Sequence, residues 1–325
     1  MTYPQGSDPV PDPISDPVRV VFRFDASDSL IRKVEALSGD RIEIHCCAES
    51  DDAAYDALLP QVHVLWHVLK PVSEDQIARA PMLKLVQKIG SGVNTIAVDA
   101  CRARGIAVCN LPGTNSRAVA EMTLLLMLAC LRRLRELDAA VRREGGWRGA
   151  AEMQDRFGEL AGRTVGLLGY GAVPRMLKPL LEALGARVVY WSRSERNIEF
   201  DALLSNADIA SLHLPLAADT ERLIGAAQIA RMKPGAILIN TARGALVDEA
   251  ALVDALRAGR LGAAGLDVFT EEPVGTEHIL LGLPNVIATP HLAWLTQETL
   301  ERSLVGALDN VRRLRDGVAL LNRVA

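Results

Sequence analysis

Thr164-Val165-Gly166-Leu167-Leu168-Gly169-Tyr170-Gly171-Ala172-Val173-Pro174 reads as a buried strand, a tight turn carrying two glycines, and the opening of a helix near Val173. A strand that ends on Gly-x-Gly and passes into an amphipathic stretch, here Arg175 to Leu184, is the pattern of a βαβ unit whose turn cradles phosphate. Gly169 permits the turn. Gly171 lets backbone amides, with those of Ala172 and Val173 at the helix start, approach a pyrophosphate where the helix dipole favours negative charge. The place of a third glycine is taken by Pro174, and a proline is tolerated in a helix's first turn. The turn therefore survives, with helix and strand expected slightly further apart.

On both sides of this turn, short apolar runs alternate with helical stretches. Downstream lie Arg187 to Trp191, Ile209 to Leu212, Ala236 to Asn240, Gly262 to Leu266 and Val286 to Thr289, with helices including Glu249 to Ala258 between most of them. Upstream lie Val18 to Phe24, Arg41 to Cys46, Val62 to Leu69, Leu83 to Ile89 and Gly105 to Cys109, with helices over Asp28 to Leu37 and Ser73 to Ala80. Such alternation predicts parallel sheets covered by helices on both faces. Asn110-Leu111-Pro112-Gly113 breaks the first series, and one long helix is expected from about Ser116 to Arg143. A closing helix, about Gln297 to Arg315, should return the chain to the first series. The expected fold is α/β: two doubly wound parallel-sheet domains, a Rossmann-type dinucleotide domain (113–296) inserted into a flavodoxin-like domain (18–112 and 297–325). The two domains should hinge about a cleft.

The tip of the second strand of the inserted domain bears on which dinucleotide binds. An Asp or Glu there would take the ribose 2′-hydroxyl of NAD, whereas this chain has Tyr190-Trp191-Ser192-Arg193-Ser194. Hydroxyls and a guanidinium suit a 2′-phosphate, with Arg196 nearby, so NADP(H) is expected over NAD(H). Three further polar residues sit just past strands of the same domain: Arg243, Glu272 and His291. Ligands of parallel α/β sheets bind beyond the carboxyl ends of the strands, so these groups can converge. An arginine can clamp a carboxylate and a carbonyl oxygen, imidazole carries protons near neutrality, and a neighbouring carboxylate favours its protonated form. That set points to 2-keto acid/2-hydroxy acid redox chemistry.

The bulk numbers agree with a globular protein and argue against other classes. The 325 residues suit two domains, and 49% hydrophobic content provides core. A net charge of −4 supplies no basic field for nucleic acid or an anionic membrane. Met122 to Leu131, the longest apolar stretch, is half the ~20 residues that a membrane helix needs. Cys46, Cys47, Cys101, Cys109 and Cys130 are odd in number and lack metal-ligand spacing, which reads as reduced thiols in a cytoplasm. Met1 to Pro17, rich in Pro, Asp and Ser, reads as a disordered tail.

From Val62 onward the chain resembles the D-isomer-specific 2-hydroxyacid dehydrogenases, which include glyoxylate and hydroxypyruvate reductases. The resemblance rests on Lys88 to Ile96, Asn110 to Glu121, the glycine turn, Ser211 to Thr220, Asn240 to Asp248, Gly265 to Pro273 and Thr289-Pro290-His291. It implies that Arg243 binds the substrate, that His291 exchanges the proton, and that Glu272 pairs with His291. Glu271 competes for that last role, but the family's acid stands immediately before the proline. It further implies backbone amides of Ser91, Gly92 and Val93 on the substrate carboxylate, with Val68 and Leu69 lining the pocket. Trp294, three residues past His291, is expected either to roof the pocket and restrict substrate size or to be a dimer-facing core residue. Cofactor contacts fall on Asn115, Ser116, His213, Pro215, Thr220, Thr241, Ala242 and Asp267, the last accepting the nicotinamide carboxamide. The long helix from Ser116, with Gly145, Gly146 and Trp147 beyond it, resembles the family's dimerisation elements and implies a homodimer. Alternatives on the same scaffold are a phosphite dehydrogenase and a nucleotide-sensing co-repressor. Formate dehydrogenases of the family carry an amide where Glu272 stands, which argues against formate.

Overall fold

A computed structural model describes residues 12–14, 16–142 and 155–325. The chain divides into two compact units, Met1–Asn115 with Thr296–Ala325, and Ser116–Leu295. The first is built on β1 (Val18–Arg23), β2 (Ile42–Cys47), β3 (Val64–His67), β4 (Leu85–Lys88) and β5 (Ala107–Cys109). Its helices are α1 (Asp28–Glu35), α2 (Asp52–Leu58), α3 (Glu74–Ala78) and α4 (Val98–Ala103). The strands are all parallel, in the order β2-β1-β3-β4-β5, which is the flavodoxin-like winding. Central β3 and β4 are buried at every position, whereas edge strand β2 alternates, with Glu43 and His45 exposed. Helices on both faces demand continuous apolar strands, and only an edge escapes that demand.

The second unit begins with α5 (Ser116–Leu131) and α6 (Leu134–Val141), followed by β6 (Thr164–Leu168), α7 (Ala172–Ala183), β7 (Arg187–Trp191), α8 (Phe200–Asn206) and β8 (Ile209–Leu212). It continues through α9 (Ala226–Arg231), β9 (Ala236–Asn240), α10 (Glu249–Arg257), β10 (Leu261–Leu266), α11 (Ile279–Gly282) and β11 (Val286–Ala288). Its six parallel strands run β11-β10-β9-β8-β6-β7, so the winding reverses between β6 and β8. Alternate residues face opposite sides of this sheet. Leu168, Leu212 and Leu238 join one core, and Leu167, Ile209, Ile237 and Ile239 join the other. α12 (Gln297–Arg315) returns to the first unit, where buried Asn310 donates to Gln87 Oε1 at 2.7 Å.

The single long helix expected from Ser116 is two. Arg133 adopts a left-handed φ of 49° between α5 and α6. No glycine or proline marks the break in sequence. It is held by side chains instead: Arg133 pairs with Glu136, and the Arg135 guanidinium donates to the carbonyls of Leu281, Leu283 and Val286 at 2.7–2.9 Å. Gly145, Gly146 and Trp147 lie outside the described residues. No helix among the described residues is long and apolar enough to cross a membrane.

Candidate active site

The glycine turn sits at the winding reversal, where ligands of such sheets collect. Gly169 has φ +100°, and a Cβ there would overlap the carbonyl group of His213, which follows β8. Only glycine lets the turns after β6 and β8 approach this closely. Gly171, the N-cap of α7, faces open space, and Pro174 is buried within the helix's first turn. The exposed amide end of α7 is thus presented past a backbone that no side chain screens.

Beside it, the tip of β7 is more elaborate than its sequence suggests. Ser192 Oγ is engaged by its own turn, accepting from the Glu195 amide at 3.0 Å and donating to the Glu195 carbonyl at 2.5 Å. Arg193 pairs with Asp219, Arg196 pairs with Glu199 at 2.9 Å, and Arg175 from α7 pairs with Glu195. Tyr170 stacks on Tyr190 at 3.7 Å, with the Arg175 guanidinium over its ring. The tip lacks an acid of its own, but Glu195 and Asp219 bring carboxylates to it. After β8, His213 Nε2 lies 3.0 Å from Ser211 Oγ, and burial pushes its ring down to about 4. Thr220 is buried and ties Pro215 and Ala217 into one turn.

Arg243, Glu272 and His291 follow β9, β10 and β11, three adjacent strands. Asn240, buried at the end of β9, shapes the turn before Arg243: its Oδ1 accepts from the Ala242 amide at 3.0 Å and its Nδ2 donates to the Arg243 carbonyl at 2.8 Å. Thr241 Oγ1 meets Thr123 Oγ1 of α5 at 3.0 Å. A Cβ on Gly244 would collide with the carbonyl carbon of Phe269, so this glycine lets the Arg243 loop lie against the loop carrying Glu272. Burial lowers the Arg243 guanidinium from its ordinary range, and the Glu272 charge opposes that shift.

Glu272 and His291 touch. Glu272 Oε2 lies 2.5 Å from His291 Nδ1, while Oε1 accepts from the Phe269 amide at 2.9 Å. Burial alone would raise the Glu272 carboxyl, but its bond to His291 and the Phe269 amide hold it below its ordinary value. His291 has a left-handed φ of 56°, a costly conformation for a side chain with a Cβ. Asp267, 1% exposed, holds it there. Its carboxylate accepts from Thr289 Oγ1 at 2.5 Å and from the amides of Leu292 and Ala293 at 3.0 and 2.8 Å. Its carbonyl accepts from the His291 amide at 2.8 Å. Trp294, next in line, is buried.

In the first unit, Val68 is buried and Leu69 half-buried at the end of β3. Glu49, unmarked in the sequence reading, accepts from the amides of Leu69 and Lys70 at 3.4 and 3.2 Å. Gly90 has φ +136°, and the turn Ser91-Gly92-Val93 after it is held by Asn110 Nδ2 donating to the Ser91 carbonyl at 2.8 Å. Asn115 is half-buried and ends the first segment of this unit; Ser116 is buried and opens α5 in the other. His67 is buried in β3, as strand packing requires.

The family model of the D-isomer specific 2-hydroxyacid dehydrogenase NAD binding domain matches residues 124–293. The chain belongs to this family. A glyoxylate reductase of Aeropyrum pernix is 41% identical over 75% of the chain and 76% of its own length. A D-3-phosphoglycerate dehydrogenase of Mycobacterium leprae is 36% identical over 88% of the chain, which spans 55% of that longer protein. The crystal structure of a Thermus thermophilus protein superimposes with a TM-score of 0.84 at 33% identity, over 95% of this chain and all of that one.

Among the residues of this family member that shape the site, sequence reading missed Asn240, Gly244 and Asp219 as well as Glu49. Asn240 and Gly244 carry a local signal, an Asn and a Gly just after a strand. Asp219 carries none, because its partner Arg193 is 26 residues away and meets it only through the sheet order.

Proposed function

We propose that this chain transfers hydride between a nicotinamide dinucleotide and a small 2-keto or 2-hydroxy acid, with NADPH favoured over NADH. The observation that carries the reading is the Glu272–His291 hydrogen bond at 2.5 Å, at the carboxyl ends of strands that also deliver Arg243. The glycine turn and the amide end of α7 suit the dinucleotide's pyrophosphate, and the nicotinamide supplies or takes up the hydride when bound. His291, bound to Glu272 through Nδ1, has Nε2 to exchange a proton with the substrate oxygen. Arg243 spans carboxylate and carbonyl, orienting the substrate and stabilising the developing alkoxide. Backbone amides of Ser91, Gly92 and Val93 take the substrate carboxylate, and Val68, Leu69 and Trp294 set pocket shape.

The remaining cofactor contacts are assigned to Asn115, Ser116, Ala172, Val173, Ser192, Arg193, Ser194, His213, Pro215, Thr220, Thr241, Ala242 and Asp267. Support for NADPH is the serine and arginine at the tip of β7. Support for a cytoplasmic homodimer is that no disulfide joins the five cysteines and that the α5 region resembles the family's dimerisation elements. Glyoxylate is favoured by the name of the Aeropyrum relative, hydroxypyruvate by the family resemblance. Steady-state kinetics with glyoxylate, hydroxypyruvate, pyruvate and phenylpyruvate, each against NADPH and NADH, tests the proposal. Turnover of glyoxylate or hydroxypyruvate with NADPH is expected. No oxidation of either cofactor with any of the four acids overturns it.

A further inference from the structure

Sheet order makes one surface ion pair more than a local contact. β6 lies between β8 and β7, so the loops after β8 and β7 flank the glycine turn that follows β6. Arg193 comes from the loop after β7 and Asp219 from the segment after β8, so their ion pair joins the two segments whose strands flank β6. Both side chains are more than half exposed, at 56% and 61%, so the pair is exchangeable with ligands in solution.

From this pairing we infer that Asp219 is a specificity-determining residue, which competes with the 2′-phosphate of NADP for Arg193 and so lowers the preference for NADP over NAD. The inference rests on the reading of Ser192–Ser194 as the 2′-phosphate site. A phosphate monoester brings nearly two negative charges and three acceptor oxygens, enough to displace a single carboxylate from a guanidinium. A 2′-hydroxyl carries no charge and leaves the pair intact. NADP binding therefore includes the loss of one ion pair that NAD binding keeps. Arg175 and Arg196 do not bypass this competition, because each has its own carboxylate, Glu195 and Glu199.

Isothermal titration of NADP+ and NAD+ into wild type, Asp219→Asn, Arg193→Ala and the double variant tests the inference. Asp219→Asn is expected to tighten NADP+ by about two- to fivefold, the range of an exposed ion pair, and to move NAD+ by less than about twofold. The gain should vanish when Asp219→Asn is made in the Arg193→Ala background. Equal tightening of both cofactors, or a gain that persists without Arg193, would show general charge removal and overturn the role of Asp219. So would no gain, or weaker NADP+ binding, in Asp219→Asn when Arg193→Ala does weaken NADP+. If Arg193→Ala leaves the NADP+/NAD+ ratio unchanged, the 2′-phosphate reading fails and the inference with it.

Discussion

Asp267 holds His291 by the backbone and its neighbours by the side chain: the His291 amide donates to the Asp267 carbonyl at 2.8 Å, and the Asp267 carboxylate collects the Thr289 hydroxyl and the Leu292 and Ala293 amides around it. A left-handed histidine is thereby fixed from one side by a buried aspartate and from the other by Glu272.

Asp267→Asn keeps one acceptor oxygen where two serve three donors. The variant is expected to lose about 1–3 kcal/mol of stability, the cost of leaving buried donors unpaired. It should also lower kcat, because His291 is no longer held. Chemical denaturation and kinetics check both; a variant with wild-type stability and turnover would remove Asp267 from the support of His291.

His291→Ala should lower kcat by about 10²–10⁴, the range for a general acid or base. Glu272→Gln can still meet Nδ1 but does not hold ring charge, so a smaller loss in kcat is expected with KM little changed. Near-normal turnover of His291→Ala would refute its role.

Arg243→Ala should raise KM and lower kcat together, since the guanidinium is assigned to both the substrate and the developing alkoxide. Arg243→Lys should not restore activity, because a point charge lacks the planar fork. Steady-state kinetics on 2-keto acids separates the two effects.

Gly244→Ala would drive a methyl into the Phe269 carbonyl carbon, where backbone must move. Destabilisation at the upper end of overpacking, about 3 kcal/mol, is expected, with the Arg243 and Glu272 loops driven apart. Thermal melting and kinetics check it. An unperturbed variant would show that the two loops are free to separate.

Burial pushes the His213 ring down to about 4, against 6.5 for an ordinary histidine. Above pH 6.5 neither folded nor unfolded chain carries the proton. Between 6.5 and about 4 only the unfolded chain takes it up, so stability falls with pH across that window and the loss stops below it. His213→Gln should flatten this part of the stability–pH curve. Urea titrations of both proteins between about pH 4 and about pH 7.5 test it; equal slopes would show that His213 is not the group responsible.

Strand-forming runs were legible because parallel strands buried on both faces must be apolar throughout, as in Ala236–Asn240 and Ile209–Leu212. The α5–α6 break was not, because Arg132 and Arg133 carry no helix-breaking signal and the left-handed turn is held by contacts to residues 281–286. Strand ends shifted by one or two residues where an apolar run outlasts its ladder, as for Val62 to Leu69 against Val64–His67.

The alternation of strands and helices, the glycine turn and family membership all follow from residue types at short spacing, and so stand in the chain before it folds. What surrounds those parts was settled by packing. Folding brought Glu272 onto His291, set the Asp267 carboxylate against the His291 turn, and paired Asp219 with Arg193. The physical reason is common to all three. Each pairing joins loops after different strands, and the order in which a sheet stacks its strands is a property of the packed core rather than of any one segment.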